Sequence, residues 1–148
     1  MSSFKQIYYQ IIFGTKDRLP TIPESDCDEL YKYIWGIIKN KKSKLYRING
    51  VEDHIHIFCD LHPSIALADF IRDIKKDSSF WMKAGGKFRD FKGWQDGYGA
   101  FTYSIWEKEM MIIYVKKQKE HHRKETFYDE YIRLLLENGI EFDEKYLL

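Results

Sequence analysis

Two cysteines, three prolines and nine glycines in 148 residues leave little room for several architectures. Cys27 and Cys59 are a lone pair without metal-type spacing, which speaks against a disulfide-stapled secreted scaffold and makes a reducing cytoplasm the expected setting. No apolar run approaches the roughly 20 residues of a membrane-spanning helix, and Met1-Ser2-Ser3-Phe4-Lys5 leads into no signal-peptide core. Collagen, coiled-coil and repeat architectures find no support. Neither a Walker loop, a Rossmann glycine fingerprint nor a nucleophile elbow is present. An excess of charge of one sign is missing too, the formal net charge being +1.

What is present is ordinary in amount and uneven in placement. Apolar residues at 44% and charged residues at 32% describe a globular chain, and the length fits one domain, residues 1–148. Lys39, Lys41, Lys42, Lys44 and Arg47 come with no acid among them, and a further basic run spans Lys116 to Lys124. The acids gather at Glu24 to Glu29 and from Asp129 to Glu144. Segregated charge suits an electropositive face for a polyanion, and aromatics at 17% could supply rings for unpaired bases. Solvated helix faces over an aromatic core would give the same composition.

The chain punctuates itself into alternating elements. Phe4 to Phe13 reads as a buried strand, and Ser25 opens a helix with Asp28 placed for a capping box. A strand over Leu45 to Ile48 is followed by Asn49-Gly50, a hairpin signal, and then by a strand over His54 to Asp60. Pro63-Ser64 starts a helix that Gly85-Gly86 stops, and Ala100 to Tyr103 forms the last strand. Ser104 to Glu107 is a capping box leading into a helix that runs to about His122, and Thr126 opens a final helix ended by Asn138-Gly139. This order predicts an α+β fold: a ferredoxin-like split βαβ antiparallel sheet with helices on one face, plus C-terminal helices.

Candidate chemistry lies in two places. His54-Ile55-His56 sits in a strand, so both imidazoles leave one face and could share a divalent cation, with Asp53 beside them to orient a ring. Tyr114 and Gln118 stand one helical turn apart, a phenol and a carboxamide on one side. Their bland reading is a core tyrosine and a solvated glutamine. His121-His122 follow on the same helix, His122 one turn beyond Gln118; a metal role is conceivable there, but the dipole at a helix C-terminus favours imidazolium, which is the preferred reading. Trp81, Trp94 and Tyr98 are candidates for stacking on bases, and Lys39 to Arg47 for backbone contacts.

These residues resemble the single-tyrosine HUH (His-hydrophobic-His) transposases of small single-strand insertion sequences, including REP-associated tyrosine transposases. The likeness runs through IIFGTKDRLP, VEDHIHIFCDLHPS, GWQDGYGAFTYS, YVKKQKEHH and TFYDEY to the tail. It implies that His54, His56 and Gln118 bind a divalent metal, Mg²⁺ or Mn²⁺, and that Tyr114 is the nucleophile. It further implies cleavage and rejoining of single-stranded DNA at hairpin-bearing ends through a 5′-phosphotyrosine. Members are homodimers in which one subunit's tyrosine helix can serve the other's histidine pair, giving composite active sites. Two other readings stay open: a hairpin-binding regulator derived from such an enzyme, and a His-x-His phosphoesterase that uses water.

Overall fold

The computed structural model describes residues 3–147. Four strands, β1 (Tyr8–Gly14), β2 (Lys44–Val51), β3 (His54–Asp60) and β4 (Gly99–Tyr103), form one sheet in the order β2-β3-β1-β4. Every pairing is antiparallel. With helices α1 (Cys27–Asn40) and α2 (Leu67–Gly85) as crossovers, this is the split βαβ arrangement the sequence predicts. Three more helices follow: α3 (Lys108–Lys116), α4 (Gln118–His121) and α5 (Phe127–Glu137).

The central strands are buried on both sides, and their residues sort by parity. Ile11, Phe13, Ile55, Ile57 and Cys59 point toward α1 and α2, where Leu30, Ile34, Ile38, Phe70 and Ile74 meet them. The opposite residues face the C-terminal helices, to which the sequence had assigned no face. Ile12 and Phe101 pack on Phe127, Tyr131 and Leu134 of α5, while Tyr8 and Phe58 pack on Met111 and Val115 of α3. Between these two packed patches lie His54 and His56.

Several boundaries differ from the sequence reading, each for a local reason. Asn49-Gly50 is not the hairpin turn; both residues lie inside β2, paired with His56 and Ile55, and Glu52-Asp53 makes the turn. Gly50 is required there for another cause, since a Cβ would stand 2.2 Å from the His54 carbonyl oxygen. Helix α1 starts at Cys27 rather than Ser25, after a 3₁₀ turn at Glu24–Asp26, and Asp26 makes no side-chain cap. Helix α2 begins at Leu67, a few residues past Pro63-Ser64, and ends as expected at Gly86 with φ +77°. Both halves of the Ser104/Glu107 capping box form, and the Thr126 hydroxyl accepts from the Asp129 N–H at 3.1 Å.

The helix expected to reach His122 breaks instead at Lys117 (φ −95°, ψ 17°). Asn49 supplies the reason: its amide donates to the Lys116 carbonyl at 2.8 Å, drawing that oxygen toward the sheet and out of the helical ladder.

Candidate metal and nucleophile site

His54 and His56 leave β3 toward the C-terminal helices and are fully buried. The outer nitrogen of each ring is spoken for. His54 Nδ1 lies 2.7 Å from Asp53 Oδ1, and its ring stacks on Phe127 with centroids 3.9 Å apart. His56 Nδ1 lies 2.9 Å from Gln10 Oε1; the other end of that amide donates to the Tyr103 hydroxyl at 2.9 Å, so Oε1 is the acceptor. Both Nδ1 atoms therefore carry the proton, and in the neutral rings both Nε2 atoms present lone pairs.

Those lone pairs meet other acceptors. Glu130 Oε1 stands 3.4 Å from His54 Nε2, 3.0 Å from His56 Nε2 and 2.8 Å from His122 Nε2. His122 Nε2 is also 3.0 Å from His54 Nε2 and 2.9 Å from Gln118 Oε1. One donor atom each from His54, His56, His122 and Glu130 falls within a single 4.8 Å sphere of mutual reach. So many acceptors converge only around added positive charge, a proton or a cation.

The titration behaviour follows from this crowding. Burial pushes the His56 imidazole down to about 4, against the pull of Glu130, so this ring stays neutral. Burial lowers His54 too, but hydrogen bonds to Asp53 and Glu130 outweigh it and leave it raised. The two neighbours thus move oppositely, because among the described residues the only carboxylate hydrogen-bonded to His56 is shared, whereas His54 also has Asp53. Burial would raise the Glu130 carboxyl, yet His56 and the surrounding ring nitrogens hold it well below the ordinary range. Three imidazoles and a carboxylate, two of the rings oriented through Nδ1, match the donor chemistry of a first-row divalent ion.

Glu130 also links this cluster to the phenol. Its second oxygen accepts a hydrogen bond from Tyr114, and Arg133 donates to the Tyr114 oxygen from the other side at 2.9 Å. Arg133 is itself clamped by Glu125 at 3.0–3.3 Å and by Glu137 at 3.2 Å. Burial and the Glu130 carboxylate raise the Tyr114 pKa, with Arg133 opposing them. His121 is drawn into the same clamp, 2.7 Å from Glu125.

All four residues singled out in the sequence therefore gather within one chain. Tyr114 is neither remote core nor surface, and Gln118 is fully buried, held by its amide on the Tyr114 carbonyl at 3.3 Å despite the break at Lys117. The sequence reading missed Glu130 and Arg133, and for His122 it preferred a dipole role to a metal one. Their signal was thin: Glu130 and Arg133 are single charges on an amphipathic helix, and only the helix parity of Phe127, Glu130 and Leu134 marked Glu130 as inward. Among the proposed base-stacking residues, Trp94 is buried with its indole N–H on Ser78 at 3.0 Å, so it is core. Trp81 stacks internally on Tyr33, and Tyr98 is partly exposed.

Comparison with known proteins places this geometry in context. The family model described as Transposase IS200 like matches residues 3–118. That span covers His54, His56, Tyr114 and Gln118 but stops short of His122, Glu130 and Arg133. No curated protein matches. A protein of Deinococcus radiodurans R1, solved as a candidate transposase, is similar at TM-score 0.63 and 20% identity over 80% of this chain and 95% of that one. The structure of a REP-associated tyrosine transposase bound to a REP hairpin is similar at TM-score 0.59 and 14% identity, over 82% of this chain and 74% of that one. At these identities the two structures establish a shared fold.

Proposed function

Starting from the fact that the chain belongs to the IS200-like transposase family, we propose that it is a metal-dependent transposase that cleaves and rejoins single-stranded DNA through Tyr114. The whole chain, residues 1–148, acts as one catalytic domain. The observation that carries the reading is the meeting of the Tyr114 phenol with the His54/His56 cluster at one carboxylate, Glu130.

His54, His56 and Gln118 hold the metal, with His122 and Glu130 completing the donor set. Three imidazoles beside the oxygen donors favour Mn²⁺ over Mg²⁺ as the resident ion. When bound, the ion polarises the scissile phosphate and offsets charge developing on it. The remaining work belongs to the chain. Arg133 and Glu130 fix the Tyr114 oxygen from two sides, which places one lone pair for attack. As the tyrosine oxygen–phosphorus bond forms, the bond from phosphorus to the 3′-oxygen breaks, and the phenolic proton ends on that 3′-oxygen. The phosphoester is conserved as a 5′-phosphotyrosine, so a second 3′-hydroxyl can reverse the exchange and join new DNA. Arg133 serves in both directions, because the phenolate it stabilises as nucleophile is the leaving group of the return step.

A hairpin is the proposed recognition element, supported by the hairpin-bound neighbour of the same fold. Lys39 and Lys44 lie over the rings of Trp35 and Tyr46, and Trp35 is half exposed, a pairing suited to unpaired bases beside phosphates. The protein acts as a homodimer, and the meeting of Tyr114 and His56 at Glu130 within one chain supports sites built in cis.

The test is incubation with single-stranded oligonucleotides from the DNA flanking the gene, with Mn²⁺ or with EDTA, read on a denaturing gel. A metal-dependent covalent species mapping to Tyr114 is expected. Metal-dependent cleavage without an adduct would replace this reading with a water-using phosphoesterase, and hairpin binding without cleavage with a regulator.

A further inference from the structure

The turn that leaves β1 takes no part in the chemistry above, yet its backbone is strained. Asp17 (φ 57°) and Arg18 (φ 56°) lie side by side in the left-handed region, where Lys42 is the only other non-glycine among the described residues. An aspartate tolerates that conformation, but an arginine gains nothing local from it. Hydrogen bonds hold the pair there. The Arg18 N–H donates to the Thr15 carbonyl at 3.0 Å and the Lys16 N–H to the Gly93 carbonyl at 2.8 Å. The buried Thr15 hydroxyl donates to the Leu19 carbonyl at 2.6 Å. Strain of this kind persists only where the surroundings impose it, and it gathers where a side chain is put to use.

What the turn displays is a cation without an acid. Lys16, Asp17 and Arg18 are all exposed. Arg72 and Arg133 each grip carboxylates, whereas Arg18 forms no ion pair among the described residues, either with Asp17 beside it or with the exposed Asp129 beyond Tyr128. Its guanidinium rests instead over the Tyr128 ring, 5.3 Å from the centroid, a seat that orients the flat group and leaves its N–H donors free. Both partners start from His54. Gly14, the last residue of β1, pairs with His54, and the next N–H, of Thr15, donates at 2.8 Å to the carbonyl of Asp53, whose carboxylate holds the His54 ring. Tyr128 directly follows Phe127, the ring stacked on His54. Arg18 is four residues from Gly14, at most about 14 Å of chain, which a strand covers in a few nucleotides.

We propose that Arg18, seated on Tyr128, binds one backbone phosphate of the single-stranded substrate, a few nucleotides from the phosphate that meets the cluster. The inference rests on the proposed single-strand chemistry for its ligand, but the contact can be tested without any cleavage. A phosphate held at a fixed distance from the metal sets how far the strand can slide before it is cut, which is the positioning work that backbone contacts do. The strained turn suits this task, because a guanidinium on a rigid turn loses little freedom when the strand arrives.

The probe is a labelled oligothymidylate, which forms no hairpin, titrated by fluorescence anisotropy into the full chain in EDTA over a range of salt. Arg18→Gly should weaken binding several-fold and reduce the slope of log affinity against log salt by about 0.7, the share of one single-strand phosphate contact. Its melting temperature should hold or rise, since glycine adopts a positive φ freely. A residue kept only for the shape of the turn would lose stability and leave the slope alone. Arg18→Gln removes the charge but keeps a side chain in the turn, and should lower the slope equally; it keeps the test valid if Arg18→Gly disturbs the turn. Tyr128→Leu should weaken binding with the slope intact, because the cation stays and only its seat is lost. No binding of the probe by the unsubstituted chain, or an unchanged slope in both Arg18 variants, would overturn the contact. A covalent adduct at Tyr114 together with an unchanged slope would sink the contact alone; a lowered slope without any adduct would sink the cleavage reading alone.

Discussion

The two faces of the sheet are built from the same strands, residue by residue, and have opposite characters. Toward α1 and α2 the buried residues are Ile11, Phe13, Ile34, Ile38, Ile55, Ile57, Phe70 and Ile74, with Ser78 satisfied by the Ile74 carbonyl at 2.6 Å. Toward α3, α4 and α5 the same strands bury Gln10, Asn49, His54 and His56, which the helices answer with Gln118 and Glu130. Burying so many polar groups costs free energy that an apolar face would not incur. The first face holds the fold together, and the second uses that stability to keep an acceptor-rich cluster in place.

If that division is right, substitutions on the two faces should fail in different ways. The largest effect is expected for Tyr114→Phe, which removes the proposed nucleophile: adduct formation should vanish on the denaturing gel while DNA affinity and melting temperature hold. Next, Glu130→Gln keeps the shape but removes the carboxylate charge that three imidazoles share, and should lower Mn²⁺ affinity roughly 10–100-fold by calorimetry. On the dry face, Ile57→Ala should cost about 2–5 kcal/mol in denaturant unfolding and leave the Mn²⁺ affinity of the folded fraction alone. A dry-face variant that lost metal affinity without losing stability would break the comparison.

Two smaller effects sharpen it. Mixing Tyr114→Phe subunits with His56→Ala subunits should restore no cleavage for sites built in cis, whereas rescue would show exchanged helices. Mn²⁺ affinity should also climb with pH above the ordinary histidine pKa. His54 is raised, so below its native pKa it carries a proton that the ion must displace, and above it that competition ends. His56, pushed down to about 4, adds nothing in that window. A profile flat from the ordinary histidine range upward would remove His54 from the ligand set.

The sequence disclosed the fold well because period and punctuation agreed. The alternation at His54-Ile55-His56, the Gly85-Gly86 stop and the Ser104/Glu107 box each encode their structure within a few residues. It misled where tertiary contact overrode local preference. Asn49-Gly50 has turn chemistry, but Asn49 serves as a tether to Lys116 and Gly50 as a gap beside His54, and neither use is visible without the neighbouring strand. The site was half legible. His54, His56, Tyr114 and Gln118 show in short patterns, whereas Glu130 and Arg133 act through space, and a lone buried carboxylate looks in sequence like any other glutamate on a helix.

That Glu130 comes from the last long helix has a consequence for synthesis. The strand bearing His54 and His56 leaves the ribosome first, then Tyr114, and the carboxylate that joins them comes later still. Domains take shape from the N-terminus as they are made. A chain still short of α5 would carry its histidines and its phenol with nothing to hold them in register. On the proposed reading, the capacity to cut DNA waits for α5, and a product interrupted before that helix is born without it.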